Sequence, residues 1–259
     1  MSAPDFAETY ERALVPSLFG PWAQDLLDRV RLAPGDRVLD LACGTGIVAR
    51  LARQKLGSRP RIAGVDVNPD MIAVARSIEP DISWHQASAV ELPFESGIFD
   101  VVICQQGLQF FPDRAAAVRE MRRVLADRGR VAISTWRPIE ENPLFYGLHA
   151  AMEYQFGPRI DRRFSFGDER AICALLIEQG FTEIKPQILE RVHFFPDAEG
   201  FLPLNLWAVI SELYEISKDE RLNAIARLKD DAAETLDRFA SGSGLRHPMR
   251  ANIVTAAVI

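Results

Sequence analysis

The chain has few of the residues that build disulfide frameworks, metal centres or membrane spans. Its 259 residues include three cysteines and four histidines, with no Cys-x-x-Cys pair, so neither a disulfide framework nor a zinc site is expected. No apolar run approaches the roughly 18 residues of a membrane helix, and the amino terminus lacks the basic start and apolar core of a targeting segment. We therefore expect a protein of the reducing cytoplasm that has no membrane partner.

The chain also lacks the excess of positive charge that nucleic-acid binding requires. It has 30 Lys and Arg residues against 36 Asp and Glu residues, a formal net charge of −6, whereas affinity for nucleic acid comes largely from neutralising phosphates. A small molecule is therefore the expected partner, and nucleic acid is not. The sequence leaves the oligomeric state open between a monomer and a homodimer.

Apolar residues are abundant, at 48% of the chain with 15 Phe, and they suffice for the core of one domain over residues 1–259. Strand-like and helix-like segments alternate along the chain, as in a doubly wound sheet. The expected fold class is α/β, with a doubly wound, mostly parallel seven-stranded sheet and helical cap insertions. The strands are predicted at residues 37–42, 61–67, 82–86, 101–105, 131–135, 183–195 and 249–258.

Two strand ends carry the residues of a nucleoside site. The apolar run at 38–42 leads into Gly44 and Gly46, where missing side chains let a ligand approach the main chain. The run at 61–67 brings Asp66 to the end of the next strand, and an ionised carboxylate there can accept hydrogen bonds from both hydroxyls of a ribose. This pairing predicts a cofactor with a nucleoside part.

Two cofactors fit the glycine motif, a nicotinamide dinucleotide and S-adenosylmethionine. Residues 44–49 match the dinucleotide pattern only with Ala49 in the third glycine position. Asp40, just before the glycines, would repel a pyrophosphate but attract a cationic methionine head. A second role is open to Asp40, namely hydrogen bonding to the amides of the glycine loop itself.

The order of motifs resembles that of the class I, Rossmann-like S-adenosylmethionine-dependent methyltransferases that act on small molecules. Residues 38–46 are similar to their first motif and residues 64–71 to their second. The later matches, in order, are residues 91–94, 99–106 and 108–113, and then 123–125 with 129–133. The resemblance implies a cofactor-binding core over residues 36–135, with helical cap insertions at 138–167 and 203–239.

The resemblance, with the rule that ligands bind at the carboxyl ends of parallel strands, assigns residues to the cofactor. The methionine part would meet the glycine loop, the ribose would meet Asp66, and Gln105 would lie near the sulfonium. The full set is Ala42, Gly44, Gly46, Asp66, Val67, Met71, Ser88, Ala89 and Gln105. Ser88 stands where many relatives carry an Asp that binds the adenine amino group, and it can still accept one hydrogen bond.

Aromatic residues near the amino terminus and in the first insertion suggest a pocket for a flat or apolar acceptor. Because the sulfonium already activates the methyl group, the protein mainly aligns the reactants and excludes water. If the acceptor needs a base, His149 is the candidate, since it lies in the aromatic-rich cap helix. The substrate residues are predicted to be Tyr10, Phe19, Trp22, Gln106, Trp136 and Tyr146, with Phe145 and Trp207 as further aromatics of the cap.

The expected activity is methylation of a small organic molecule at oxygen or nitrogen, with carbon also open. One alternative is a protein that binds S-adenosylmethionine without transferring a methyl group, as a sensor or as an enzyme of another kind. A nicotinamide-dependent oxidoreductase is the other, disfavoured by the missing third glycine and by the later motifs.

Overall fold

The computed structural model describes residues 3–57, 61–158, 160–209 and 217–258. Its centre is an eight-stranded sheet with the path β3-β2-β1-β4-β5-β8-β6, and the short β7 pairs with β8. The strands are β1 (Arg37–Leu41), β2 (Arg61–Asp66), β3 (Ser83–Gln86), β4 (Phe99–Gln105), β5 (Leu125–Trp136), β6 (Thr182–Phe195), β7 (Ala240–Ser241) and β8 (Gly244–Ala257).

The first five strands of the path are parallel to their neighbours, whereas β8 is antiparallel to both β5 and β6. Along this path, β8 alone therefore runs opposite to the other strands, and β6 runs in the same direction as β5. The predicted class, a doubly wound and mostly parallel sheet, is confirmed. The two-residue β7 is the strand that the sequence did not indicate.

Helices cover both faces of the sheet and one end of it. They are α1 (Ala3–Thr9), a π-helix (Tyr10–Phe19), α2 (Gly20–Val30), α3 (Ile47–Leu56), α4 (Pro69–Ile78), α5 (Arg114–Val124), α6 (Pro143–Phe156), α7 (Glu169–Glu178), α8 (Ala198–Val209), α9 (Lys218–Asp231) and α10 (Ala233–Phe239). Within the described ranges, no helix is both long and apolar enough to span a bilayer.

Local sequence determines where the helices beside the sheet begin. The side chain of Asn68 caps α4 by accepting hydrogen bonds from the amides of Asp70 and Met71, and proline occupies the first turn. Asp113 caps α5 in the same way through the amide of Ala116. The glycine loop, by contrast, gives α3 no side-chain cap, because the residue before the helix is Gly46, which has no side chain.

The cap segments share one apolar cluster, which is separate from the two clusters beneath the sheet helices. Leu14 of the π-helix, Trp136 at the end of β5, Phe145 of α6 and Met249 of β8 all belong to it. The amino-terminal helices, the described parts of the two predicted insertions and the first half of β8 therefore pack together as one layer. Residues 210–216 of the second predicted insertion lie outside the described residues.

Candidate active site

A cavity of about 670 Å³ opens at the carboxyl ends of the parallel strands. One part of its wall comes from the loops that follow β1, β2, β3 and β4. The other part, called the cap half below, comes from the π-helix, from the end of β5, from β8 and from the two cap insertions. Parallel sheets of this kind bind ligands at this edge, and the volume is within the range of small-molecule sites.

The first turn of α3, which follows the glycine loop, is held by a buried carboxylate. Asp40 is 1% exposed, and its Oδ2 accepts a hydrogen bond of 2.9 Å from the amide of Ala49. Burial raises the pKa of Asp40 to about 7. The bond goes to an amide in the first turn of α3, three residues beyond Gly46, and not to the glycine loop itself.

Asp66 lies between the glycine loop and the cavity. Its Oδ2 accepts a 2.8 Å hydrogen bond from the amide of Gly44, and its Oδ1 accepts one of 2.9 Å from the amide of Asn68. Burial raises the pKa of Asp66, while these amides act in the opposite direction. A carboxylate has about four acceptor positions, so two remain for a ligand in the cavity.

Gly46 is the one predicted cofactor residue that does not line the cavity. A Cβ at this position would lie 2.3 Å from the ring of Trp84, and its φ of +88° is left-handed. Packing and backbone conformation therefore account for the glycine at this position, and its predicted role in cofactor binding stays a prediction. The other predicted cofactor residues all line the cavity: Ala42, Gly44, Asp66, Val67, Met71, Ser88, Ala89 and Gln105.

Two glutamines at the end of β4 reach the middle of the cavity wall. Gln105 donates from Nε2 to the carbonyl of Phe19 at 2.8 Å, and its buried Oε1 has no partner among the described residues. Gln106 has a φ of +53° and accepts a hydrogen bond from Gln109 Nε2 at 3.2 Å. Gln105 thus links the strand end to the π-helix while keeping one acceptor atom uncommitted.

The π-helix brings two predicted substrate residues over the cavity. Tyr10 and Phe19 both line it and stack with ring centroids 4.9 Å apart. Phe19 also meets Trp136, a third lining residue, at 6.4 Å between centroids. Burial, together with the charges of Asp66 and Asp40, raises the pKa of Tyr10, so its hydroxyl stays protonated.

Three residues that were predicted to contact the substrate lie away from the cavity wall. Trp22 is fully buried in the core, where its Nε1 donates to Nε2 of His193 at 2.8 Å. Tyr146 is 51% exposed, and His149 lies on the same helix with its Nε2 3.5 Å from Glu153 Oε1. None of the three lines the cavity. The cavity wall therefore gives no support to the predicted roles of Trp22 and Tyr146 in substrate binding and of His149 as the base, and these roles stay predictions.

Several lining residues were not predicted. Of the two further cap aromatics, Phe145 lines the cavity. The side chain of Trp207 lies outside the described part of the chain. The unpredicted residues of the cap half include Leu14, Leu18, Arg163, Phe164, Asn205 and Met249. Arg163 carried no distinct signal, because Asp161 and Arg162 beside it are also charged.

The hydrogen-bond acceptors that line the cavity suit S-adenosylmethionine. Asp66 has acceptor positions left for ribose hydroxyls, and Gln105 offers an unpartnered carbonyl oxygen to a cationic sulfur. A Cβ on Gly107 would lie 2.5 Å from that of Ala42, so the glycine keeps this wall close and narrow. Within the described residues, no group of three or more His, Cys, Asp and Glu side chains could hold a metal ion.

Comparisons with known proteins agree with this geometry. Residues 39–133 match the protein family described as Methyltransferase domain. The chain is 31% identical over 184 residues to a 2-phytyl-1,4-naphtoquinone methyltransferase of Thermosynechococcus vestitus, a match that covers 63% of this chain and 80% of that protein. It is also 31% identical over 150 residues to the ubiquinone/menaquinone biosynthesis C-methyltransferase UbiE of Xylella fastidiosa, covering 56% of this chain and 59% of that protein.

The fold has solved counterparts. A phosphoethanolamine N-methyltransferase of Haemonchus contortus, solved with phosphomonomethylethanolamine and S-adenosylhomocysteine, superposes with a TM-score of 0.58 at 22% identity. The superposition covers 92% of this chain and 52% of that chain.

Proposed function

The chain belongs to the S-adenosylmethionine-dependent methyltransferases that act on small molecules, and on that premise we propose that its acceptor is an apolar ring compound of the quinone or quinol type. The cofactor, when bound, supplies an activated methyl group. The protein's own contribution is then to select the acceptor, to align it and to keep water away.

The observation that carries the proposal is the composition of the cap half of the cavity. Phe19, Trp136 and Phe145 are aromatic, and Leu14 and Met249 add aliphatic surface. Apolar walls with few polar groups favour flat, apolar ligands. Likeness to relatives named for naphthoquinone and for ubiquinone and menaquinone supports the same class of acceptor.

We propose that Asp66 holds the ribose and that Ser88 and Ala89 meet the adenine edge. Gln105 would then face the sulfonium with its unpartnered Oε1. No histidine is among the residues that line the cavity in the described part of the chain. Acceptors whose ring carbons are already activated by an attached oxygen, as in a quinol, therefore suit this site better than acceptors that require a histidine base.

The test is an activity screen with mass-spectrometric detection of the product and of S-adenosylhomocysteine. We expect methylation of reduced 1,4-naphthoquinones, with the new methyl on a ring carbon, and no methylation of small polar amines such as ethanolamine. Trp136→Ala should raise KM for the quinol without weakening S-adenosylhomocysteine binding, because the ring lies in the cap half of the wall. Turnover of polar amines in preference to quinols would overturn the proposal.

We also propose that the protein works in the cytoplasm. All three cysteines are free thiols, two of them buried. Free buried thiols are typical of proteins that work in a reducing compartment, which supports the cytoplasm.

A further inference from the structure

Two polar side chains interrupt the apolar cap half of the cavity. Arg163 lies in the short turn Arg162–Phe164, and Asn205 lies on α8. Both line the cavity, and both are surrounded by the aromatic and aliphatic residues of the cap. A guanidinium in such a place is costly unless its charge and its N–H groups are satisfied.

The charge of Arg163 is balanced by a buried neighbour. Its Nε donates to both carboxylate oxygens of Asp161, at 3.0 and 3.1 Å, and its Nη2 donates to Oδ2 at 2.7 Å. The side chain of Asp161 is only 3% exposed. The guanidinium also lies over the ring of Phe145, 5.1 Å from the centroid, which fixes its plane against the cavity wall.

The hydrogen bonds of Arg163 leave donors unused. A guanidinium has five N–H groups, and the bonds to Asp161 engage one on Nε and one on Nη2. Nη1 donates to Oδ1 of Asn205 at 2.9 Å, and Asn205 is itself held by its bond to the carbonyl of Phe201. Among the residues that the structure describes, one N–H on Nη1 and one on Nη2 therefore have no partner and remain for a ligand.

From this arrangement we infer that Arg163, oriented by Asp161 and Asn205, is a specificity-determining residue that binds an oxygen atom attached to the acceptor ring. The inference rests on the proposed function, since it concerns the same acceptor. Because Asp161 already balances the guanidinium charge, a carboxylate would bring an uncompensated negative charge into the cap. The subsite therefore selects carbonyl and hydroxyl oxygens over carboxylates.

The test uses three naphthalene probes on the full chain saturated with S-adenosylhomocysteine. Naphthalene, 1-naphthol and 1-naphthoate share the ring and differ only in the oxygen group. We expect 1-naphthol to bind about tenfold more tightly than naphthalene, as one added hydrogen bond to a charged donor would give, and 1-naphthoate to bind more weakly than 1-naphthol. Fluorescence titration of each ligand measures the three constants.

Variants separate recognition from packing. Arg163→Lys keeps the positive charge beside Asp161 but loses the planar pair of Nη groups of the guanidinium. The preference for 1-naphthol over naphthalene should therefore fall to within about twofold, while the affinity for naphthalene should be unchanged. Arg162→Lys is the matched control, because the neighbouring Arg162 is exposed and is absent from the cavity wall. This control should retain the full preference.

Each outcome has a defined meaning. Equal binding of 1-naphthol and naphthalene to the parent protein, or an undiminished preference in Arg163→Lys, overturns the inference and leaves the apolar pocket intact. Tighter binding of 1-naphthoate than of 1-naphthol overturns the selection against carboxylates. Failure of all three probes to bind the parent protein overturns the proposed function together with the inference. The comparison among probes in the parent protein requires no variant to fold.

Discussion

Replacing Asp66 should weaken cofactor binding more than any other single change in the described cavity wall. The carboxylate has about four acceptor positions, and the amides of Gly44 and Asn68 occupy two of them. Two positions remain for vicinal ribose hydroxyls. Hydrogen bonds to a charged group contribute about 1.5–3 kcal/mol each. After allowance for water that would solvate the hydroxyls in the variant, Asp66→Ala should cost about 3 kcal/mol, or roughly 150-fold in Kd.

Calorimetric titration with S-adenosylhomocysteine measures this loss directly. Asp66→Asn retains one acceptor oxygen and should lose only about tenfold. Asp70→Asn is the matched control: it removes a charge from the first turn of α4, yet Asp70 does not line the cavity, so binding should be unchanged. Since Asp66 also supports two loop amides, thermal unfolding without ligand must be recorded for each variant. Binding by Asp66→Ala within threefold of the parent protein would refute the assignment of the ribose.

Four further outcomes are expected. Gly46→Ala should lower the free energy of unfolding by about 2 kcal/mol or more, measured by urea titration, because the new methyl group meets an indole ring at a left-handed φ. Trp22→Phe should cost about 1–2 kcal/mol, since it leaves Nε2 of the buried His193 without its donor; an unchanged urea midpoint would contradict that role. Burial lowers the pKa of His247 from 6.5 to about 4, so as pH falls below 6.5 the unfolded chain takes up this proton first, and stability should drop by about 2 kcal/mol by pH 5. His247→Gln should flatten that dependence. His149→Ala should leave kcat within about twofold of the parent value in a steady-state assay, because His149 does not line the cavity; a large loss would restore it as the base.

The half of the site that we propose for the cofactor follows from short-range signals in the sequence. Gly44 follows the apolar strand β1, Asp66 ends the apolar strand β2, and parallel strands bring their carboxyl ends to the same edge. Gly46 shows the limit of this reasoning. The motif places a glycine there, but only the packing of Trp84, on another strand, shows that the glycine is needed for close approach to a side chain.

The cap half depends on contacts that no local pattern encodes. Arg163 and Asn205 are 42 residues apart and meet only after the turn and α8 have packed together. Tyr146 was predicted from residue type alone, although the buried face of its helix runs through Leu144, Phe145 and Leu148. Amphipathic spacing could have identified that face.

The same spacing also explains Trp22, which falls on the buried face of α2 with Leu26 and Val30, four and eight residues on. Its burial in the core was therefore available from the helical period. The π-helix could not be predicted from the sequence, because Pro16 inside it is a residue that normally ends or kinks a helix. Wider turns of this kind occur often at functional sites, and here they bring Tyr10 and Phe19 over the cavity.

The divided wall of the cavity has a consequence for how this enzyme can be re-engineered or can diverge. The cofactor side is contributed mainly by one continuous stretch, and that stretch is the part that matches a family over residues 39–133. The acceptor side is assembled from Leu14, Trp136, Phe145, Asn205 and Met249, which span most of the chain. A chimera that exchanges any one segment would leave most of the acceptor wall unchanged. A change of acceptor preference should therefore require point substitutions in several segments rather than the exchange of one segment. The part of the wall proposed for the methyl donor, in contrast, can be exchanged as one continuous segment.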